Sequence, residues 1–190
     1  MADDAMIDLD ESAEDTSPED KIPFFIKKHA CPVCTTSSPF PTFKVKIYAE
    51  KKPEIDKHFQ EYTWQDPDFK SYHPPNYYFW HCPDCHFTDS SIDFPNPTKH
   101  SWNNFRTVKE EFQFKVQDDK IVKKVVNWLG KGIDYENISY AMAVKLHLLA
   151  LYIQNIVEDD DKDTFKLGRY YLRTGWLLRE MNEKNHGDLK

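Results

Sequence analysis

The chain has 190 residues, of which 15% are aromatic and 30% charged, so it is long enough to bury a core and does not have the composition of a fully disordered protein. The net charge of −7 is unevenly distributed: nine of the 32 acidic residues lie in residues 1–20, which hold no Lys or Arg, and the remaining residues carry 23 acids against 25 bases. This balance excludes nucleic-acid binding driven by net charge alone.

No segment has the features of a secretory signal or a membrane span. The N-terminus is acidic, whereas a signal needs a positive region followed by an apolar run. The longest uncharged apolar stretch, residues 146–157, has 12 residues, fewer than the roughly 20 that cross a bilayer. We therefore expect a soluble, cytoplasmic protein without membrane insertion. In that compartment, four cysteines are more often metal ligands or redox groups than disulfides.

The first half of the chain predicts short strands. Residues 1–20 predict a disordered acidic tail. Apolar and polar side chains alternate over residues 43–47, which predicts a half-buried strand, and the aromatic run at residues 77–80 predicts a second one. Residues 50–75 between them predict a polar, aromatic-rich connection, because their prolines argue against regular structure.

The second half predicts helices. Apolar spacing and end signals place them at residues 118–129, 138–157 and 164–183, while residues 108–116 are ambiguous. Gly130 ends the first helix, and Thr164 is the expected N-cap of the last. The apolar surface of the last helix comes mostly from Leu167, Tyr171, Leu172, Trp176, Leu178 and Met181. The short turn between the last two helices predicts an antiparallel hairpin.

These elements predict an α+β protein in three parts. Residues 1–20 form the acidic tail, residues 21–116 a zinc-ribbon-like domain of small β elements, and residues 117–190 an α-helical hairpin region. The spacing Leu167-Gly168-x-x-Tyr171 is similar to the core of a tetratricopeptide helix. One clear helix pair is too little for a full repeat array.

The strongest signal is a Cys-Pro-x-Cys turn that occurs twice, with 47 residues between the two copies. Two residues between cysteines allow both thiolates of a pair to reach one ion, and zinc prefers four tetrahedral ligands. The sequence therefore predicts one structural zinc ion, because four thiolates fill the coordination sphere and leave no position for an activated water. The predicted ligands are Cys31, Cys34, Cys82 and Cys85.

Three alternatives accompany this interpretation. An iron centre of the rubredoxin type uses the same four ligands. Cys-Pro-x-Cys also resembles the glutaredoxin type of thiol–disulfide motif, although such folds use one motif rather than two. His29, His81 and His86 flank the turns and could replace a cysteine or hydrogen bond to one, although ordinary packing is the favoured interpretation for each.

Other candidate chemistry is sparse. The sequence contains no phosphate-binding loop, dinucleotide-binding glycine motif, nucleophile elbow or HExxH helix. A set of carboxylates is interpreted as turn caps and solvated groups: Asp66, Asp68, Asp89 and Asp93. An aromatic set near the cysteines could stack nucleic-acid bases with help from Lys44 and Lys46, but packing is favoured for it: Tyr72, Tyr77, Tyr78, Phe79 and Trp80.

An ordered set of motifs resembles a family of uncharacterised bacterial proteins with an N-terminal zinc ribbon and tetratricopeptide-like helices. In chain order these are the first cysteine turn, the lysine-bearing segment 43–47, residues 66–69, residues 75–78, the second cysteine turn and residues 172–180. The resemblance covers about residues 30–184 and implies architecture rather than activity. One departure is that glycine commonly follows the last cysteine of such turns, where this chain has Thr35 and His86.

The leading functional hypothesis is a non-enzymatic zinc-binding protein that acts as a protein–protein interaction or scaffold module. Its C-terminal helices would contact a protein partner or a second copy. Two alternatives from other classes are a zinc ribbon that binds nucleic acid and a thiol redox protein or enzyme.

Overall fold

The computed structural model describes residues 21–97, 105–158 and 162–183, so the predicted acidic tail lies outside the described residues. Its strands form three two-stranded antiparallel sheets, β1 with β2, β3 with β4 and β5 with β6. The strands are β1 (Phe24–Ala30), β2 (Ser37–Phe43), β3 (Tyr48–Pro53), β4 (Phe59–Trp64), β5 (Phe79–His81) and β6 (Thr88–Ser90). Within the described ranges, four helices are bounded at both ends and follow the strands, which confirms the predicted α+β mixture.

The strand predicted over residues 43–47 is wrong. Only Phe43 lies in a strand, as the last residue of β2, and a turn follows in which Ile47 N–H donates to the Lys44 carbonyl (3.2 Å). The true strand contains Pro39 and Pro41, which pair with Lys28 and Ile26 of β1. Prolines are tolerated there because each strand of a two-stranded sheet has one free edge, where no N–H is needed.

The connection predicted over residues 50–75 contains the β3–β4 hairpin and two short 3-10 helices, Pro67–Ser71 and Pro74–Tyr77. Asp66 caps the first 3-10 helix, because its carboxylate accepts from Asp68 N–H (3.0 Å), so the predicted turn-capping role of Asp66 is confirmed. The aromatic run at 77–80 is a strand only from Phe79, because Tyr77 ends the second 3-10 helix.

The helices are α1 (Phe105–Asp118), α2 (Lys120–Gly130), α3 (Tyr140–Ile156) and α4 (Thr164–Glu183). The carboxylate of Asp119 caps α2 by accepting from Ile121 N–H (2.7 Å), and the Ser139 hydroxyl caps α3. The predicted N-cap Thr164 is wrong by one residue, because Asp163 accepts from Lys166 N–H (2.9 Å). Among the helices that the structure describes, none combines the length and apolar character that crossing a bilayer requires.

One hydrophobic core joins the cysteine turns to the helices. Cys31 and Cys82 are buried in it beside aromatic side chains of the hairpins and aliphatic side chains of α1, α2 and α3. Its largest contributors are Phe40, Trp80, Phe87, Phe94, Phe112, Val126, Leu129, Leu149 and Ile153. Helix α3 is central, since it packs against the other three helices and against β5 and β6. The predicted division of the chain into a zinc-ribbon-like domain and a helical region near residue 117 stays a prediction.

Helix α4 buries polar side chains together with apolar ones and leaves several large apolar side chains at the surface. Its buried residues are Lys166, Tyr170, Thr174, Leu177, Glu180 and Met181. Phe165, Tyr171, Leu172 and Leu178 of the same helix are exposed, Phe165 by 87%. Apolar spacing therefore identifies the helix correctly but gives little indication of the face it buries.

Candidate metal centre

The four cysteines meet at one point because each cysteine turn is the loop of a hairpin. The first turn joins β1 to β2 and the second joins β5 to β6. The four sulfur atoms all lie within 4.8 Å of one another, and two contacts cross from one turn to the other: 3.6 Å from Cys31 to Cys85 and 3.5 Å from Cys34 to Cys82. A tetrahedral ion with bonds of about 2.3 Å sets its sulfur ligands about 3.8 Å apart. The cluster can therefore hold one metal ion.

The two turns have the same backbone geometry. In the first, the N–H of Cys31 donates to the carbonyl of Thr36 (2.8 Å), and the N–H of Thr35 donates back to Cys31 (2.9 Å). The second turn repeats both hydrogen bonds, from Cys82 (2.9 Å) and from His86 (3.0 Å). The repeated motif in the sequence is thus a repeated structure, in which two matching loops face each other across the sulfurs.

Both turns place a residue other than glycine in the left-handed region. Thr35 has φ +67° and His86 has φ +62°, at the positions where such turns commonly carry glycine. A β-branched residue is strained there by about 1–2 kcal/mol. A glycine would avoid this strain, but its greater freedom in the unfolded chain would cancel about 0.5–1 kcal/mol of the gain.

We expect Thr35→Gly to stabilise the folded protein by up to about 1 kcal/mol, because it relieves this strain. Urea unfolding of the metal-loaded protein measures the difference. Thr36→Gly is the matched control and is expected to destabilise, since Thr36 is outside the left-handed region and its hydroxyl donates to Asp84 (2.7 Å). Equal or lower stability of Thr35→Gly would show that the strain argument is wrong.

The sulfurs compete for protons. Hydrogen bonds from Cys31 and then Cys85 lower the pKa of Cys82, whereas the hydrogen bond with Cys82 raises the pKa of Cys31 to about 12. Bonding to Cys31 and burial also raise the pKa of Cys85. Thiolates this close repel one another, unless the charge of a cation lies among the sulfurs.

The flanking histidines pair with other groups. The Nδ1 of His81 lies 2.9 Å from the Thr88 hydroxyl, and its Nε2 lies 3.3 Å from Nδ1 of His86, whose ring stacks on it. His29 packs on the ring of Trp80, 4.9 Å between centroids. Among the described residues, the four sulfurs are the only group of ligand atoms close enough to share an ion.

Gly130, the last residue of α2, packs directly on this histidine pair. A Cβ atom at Gly130 would lie 2.5 Å from Nδ1 of His86 and 2.9 Å from Cε1 of His81. The end of α2 therefore reaches the second cysteine turn only because this residue has no side chain.

We expect Gly130→Ala to destabilise the protein by about 1–3 kcal/mol, because the ring pair must move away from the helix. Gly168→Ala and Gly175→Ala are matched controls in α4 with open space around the added methyl group. Both are expected to stabilise by about 0.5–1 kcal/mol through helix propensity. Thermal or urea unfolding measures all three, and a neutral Gly130→Ala would contradict the close packing.

The interpretation of Asp89 and Asp93 as solvated groups is wrong, because both are buried. Lys166 of α4, which is fully buried, places its ammonium group 2.7 Å from Asp89 and 3.4 Å from Asp93. Tyr170 donates its hydroxyl hydrogen to Asp89, and burial raises the pKa of Tyr170 well above its usual value, so the hydroxyl keeps its proton. This network fastens β6 to α4.

A second polar network joins the β3–β4 hairpin to α4. The Nε2 of His58 lies 2.7 Å from one carboxylate oxygen of Glu180, and the Nε2 of His73 lies 2.6 Å from the other. Arg179 donates to Glu54 in the same region. Sequence reasoning missed both networks because their partners are 73 to 125 residues apart. The polar residues spaced along α4 were the only sequence feature that could have indicated these networks.

Comparison with known proteins gives one match. Neither a curated protein nor a solved structure matches the chain. The sequence pattern of a family described as "Uncharacterized protein conserved in bacteria (DUF2225)" matches residues 24–189, which includes all four cysteines and all four helices. This agrees with the resemblance to an uncharacterised bacterial family noted from the motifs. The chain therefore belongs to the family of uncharacterised proteins conserved in bacteria, DUF2225.

Proposed function

We propose that this chain is a non-enzymatic zinc-binding protein in which one structural zinc ion fixes the surfaces of an interaction module. The observation that carries the metal site is the meeting of four sulfurs from two matching turns within 4.8 Å. Four thiolates in a tetrahedral arrangement suit zinc, and they leave no position for a reacting water.

Burial supports a structural role for the ion. Cys31 and Cys82 belong to the main hydrophobic core, and the side chain of Gln113 in α1 donates to the carbonyl of Val33 inside the first turn (3.4 Å). An ion at the sulfurs would thus hold together the two hairpins on which the helices pack. Two sulfur pairs from different turns lie 3.6 and 3.5 Å apart, which favours a shared ion over a redox dithiol within one Cys-x-x-Cys motif.

Metal analysis of the purified full chain tests the ion. We expect one zinc per chain, and we expect the protein loaded with cobalt to show the absorption of a tetrahedral thiolate site. A red protein with one iron per chain would support the rubredoxin-type alternative instead. A folded, metal-free protein that cycles between thiol and disulfide would support the redox alternative and overturn the proposal.

The exposed apolar side chains of α4 support the interaction role. Phe165 is 87% exposed and Leu172, two turns further along, is 45% exposed, with open space at Gly168 between them. Two large apolar side chains on one exposed helix are a typical contact surface for a protein partner, and a second copy of the chain is the simplest partner to test.

The double variant Phe165→Glu with Leu172→Glu tests this surface. We expect it to lose self-association in light scattering, or crosslinked partners in bacterial lysate, while keeping its metal. Ile55→Glu is the control, because Ile55 is a fully exposed apolar residue on the β3–β4 hairpin. If the α4 variant and the control associate alike, the interaction role of α4 is wrong.

The nucleic-acid alternative has weaker support. Three of the aromatic side chains that could stack bases are buried, namely Tyr77, Phe79 and Trp80. Trp80 also donates its ring N–H to the carbonyl of Pro41 (3.3 Å), which is a packing role. Binding to single-stranded nucleic acid at low salt, lost steeply as salt rises, would revive this alternative.

A further inference from the structure

We propose that a cavity between the β3–β4 hairpin and α4 binds a small organic carboxylate with a flat apolar body. The cavity has a volume of about 270 Å³ and is lined by residues of the hairpin, α3, α4 and the second 3-10 helix. None of the four cysteines lines it, so this proposal does not depend on the metal site. Its volume is just below the range of about 300–1,000 Å³ typical of ligand pockets, which suits a small metabolite.

Arg173 is the group that would receive the carboxylate. Its guanidinium carbon lies 3.9 Å from the centroid of the Tyr78 ring and 5.8 Å from that of Trp176, so two aromatic faces hold the guanidinium in place. Within the described part of the chain, no oxygen accepts a hydrogen bond from Arg173 and no carboxylate forms an ion pair with it. A half-buried guanidinium with unused donors suits the two oxygens of a carboxylate.

The acid nearest in sequence forms no ion pair with Arg173. Glu180 also lines the cavity, but both of its oxygens lie at hydrogen-bond distance from histidine nitrogens, one from His58 and one from His73. The hydroxyl of Tyr140 donates to it as well (3.4 Å). Glu180 therefore belongs to the network that fastens the hairpin to α4.

The remaining charges favour a monoanion over a phosphate dianion. Lys57 and Arg173 are positive, and Glu50 and Glu180 are the two acids among the lining residues. Burial lowers the pKa of His147 to about 4, so its imidazole is neutral near pH 7, and its Nδ1 pairs with the Ala143 carbonyl (2.8 Å). The two cations and two acids of the lining balance, so Arg173, which has no carboxylate partner among the described residues, can take a single negative charge and the cavity has no surplus for a second.

The walls between these charges are aromatic. Phe59, Tyr62 and Trp176 line the cavity, and the Trp176 ring is held by stacking on His58 (5.2 Å) and by donating its N–H to Asp56 (2.8 Å). Fixed aromatic rings suit a flat apolar group, while the polar end is set by Arg173. The expected ligand class is thus a monocarboxylate with an aromatic or similarly flat body.

Calorimetric titration of the full, metal-loaded chain tests the proposal with benzoate, phenylacetate and indole-3-acetate. We expect saturable binding of at least one of them below about 10 mM, and at least about tenfold weaker binding of its uncharged amide. Inorganic phosphate is not expected to displace the bound carboxylate.

Arg173→Gln is expected to lower the affinity at least about tenfold, because the carboxylate loses its charged partner. Arg169→Gln, one turn earlier on the exposed surface of α4, is expected to leave the affinity unchanged.

Two results would overturn the proposal. One is the absence of saturable binding by all three carboxylates, and the other is equal binding of a carboxylate and its amide. Both are measured on the unaltered protein, so they decide the question even if Arg173→Gln fails to fold. Equal affinities of the Arg173→Gln and unaltered proteins would likewise exclude Arg173 as the receiving group.

Discussion

Cys82→Ser is expected to abolish metal binding and to unfold much of the protein at physiological temperature. Cys82 is fully buried in the main core, and a serine hydroxyl is a far poorer zinc ligand than a thiolate. Structural zinc contributes about 10–16 kcal/mol of binding in small zinc domains, whereas folded proteins are stable by only about 5–15 kcal/mol. We expect a fall in melting temperature of more than about 10 °C, measured by calorimetry alongside metal content.

Val33→Ala is the matched control for Cys82→Ser. Val33 is buried like Cys82 and lies in the other cysteine turn, but it offers no ligand atom. Its truncation should cost about 1–3 kcal/mol through lost packing and leave one metal per chain. If Cys82→Ser retained the metal, or melted within a few degrees of Val33→Ala, the four cysteines would not form the site that we propose.

Lys166→Met is expected to destabilise the protein by about 3–5 kcal/mol. The substitution preserves much of the side-chain volume but leaves the carboxylates of Asp89 and Asp93 buried without this cation. A hydrophobic residue in place of one partner of a buried ion pair is costly because the remaining charge loses its compensation. Urea unfolding at neutral pH measures the change.

Two comparisons isolate this effect. Adding Asp89→Asn to Lys166→Met is expected to recover part of the loss, which a double-mutant cycle reports as a coupling energy. Arg106→Met breaks an ion pair with Glu110 on the exposed face of α1 and should cost less than about 0.5 kcal/mol. A cost below about 1 kcal/mol for Lys166→Met would mean that Lys166 contributes little to fastening β6 to α4.

The sequence predicts the helices better than the strands, for a physical reason. Caps and apolar spacing are local, so the predicted bounds of α2, α3 and α4 agree with the structure to within two residues. The hairpins bury little alternating surface: β3 has five exposed residues after Tyr48, and β1 is exposed over most of its length. The one clear alternation, around Val45, falls in a turn where Val45 is 85% exposed.

The cysteine cluster was predictable because its spacing is a chemical requirement that appears twice. The buried networks of α4 and the cavity were not, since they depend on which face of α4 packs inward. Lys and Glu are residue types that usually lie at the surface. Lys166 and Glu180 can be buried only because they pair with distant residues, Asp89 and His58. Long-range pairing of this kind leaves no periodic signal in a single sequence.

The separation of the two cysteine turns has a consequence for the denatured chain. A metal held by both turns closes a loop that contains 47 residues between Cys34 and Cys82, including the whole β3–β4 hairpin. A crosslink over a loop of this size removes conformational entropy worth about 4 kcal/mol from the unfolded ensemble. Chains denatured with the metal retained should therefore be more compact than chains denatured with a chelator, and should refold faster. In the cell, this loop can close only after the second turn has been synthesised, before the helices that complete the core.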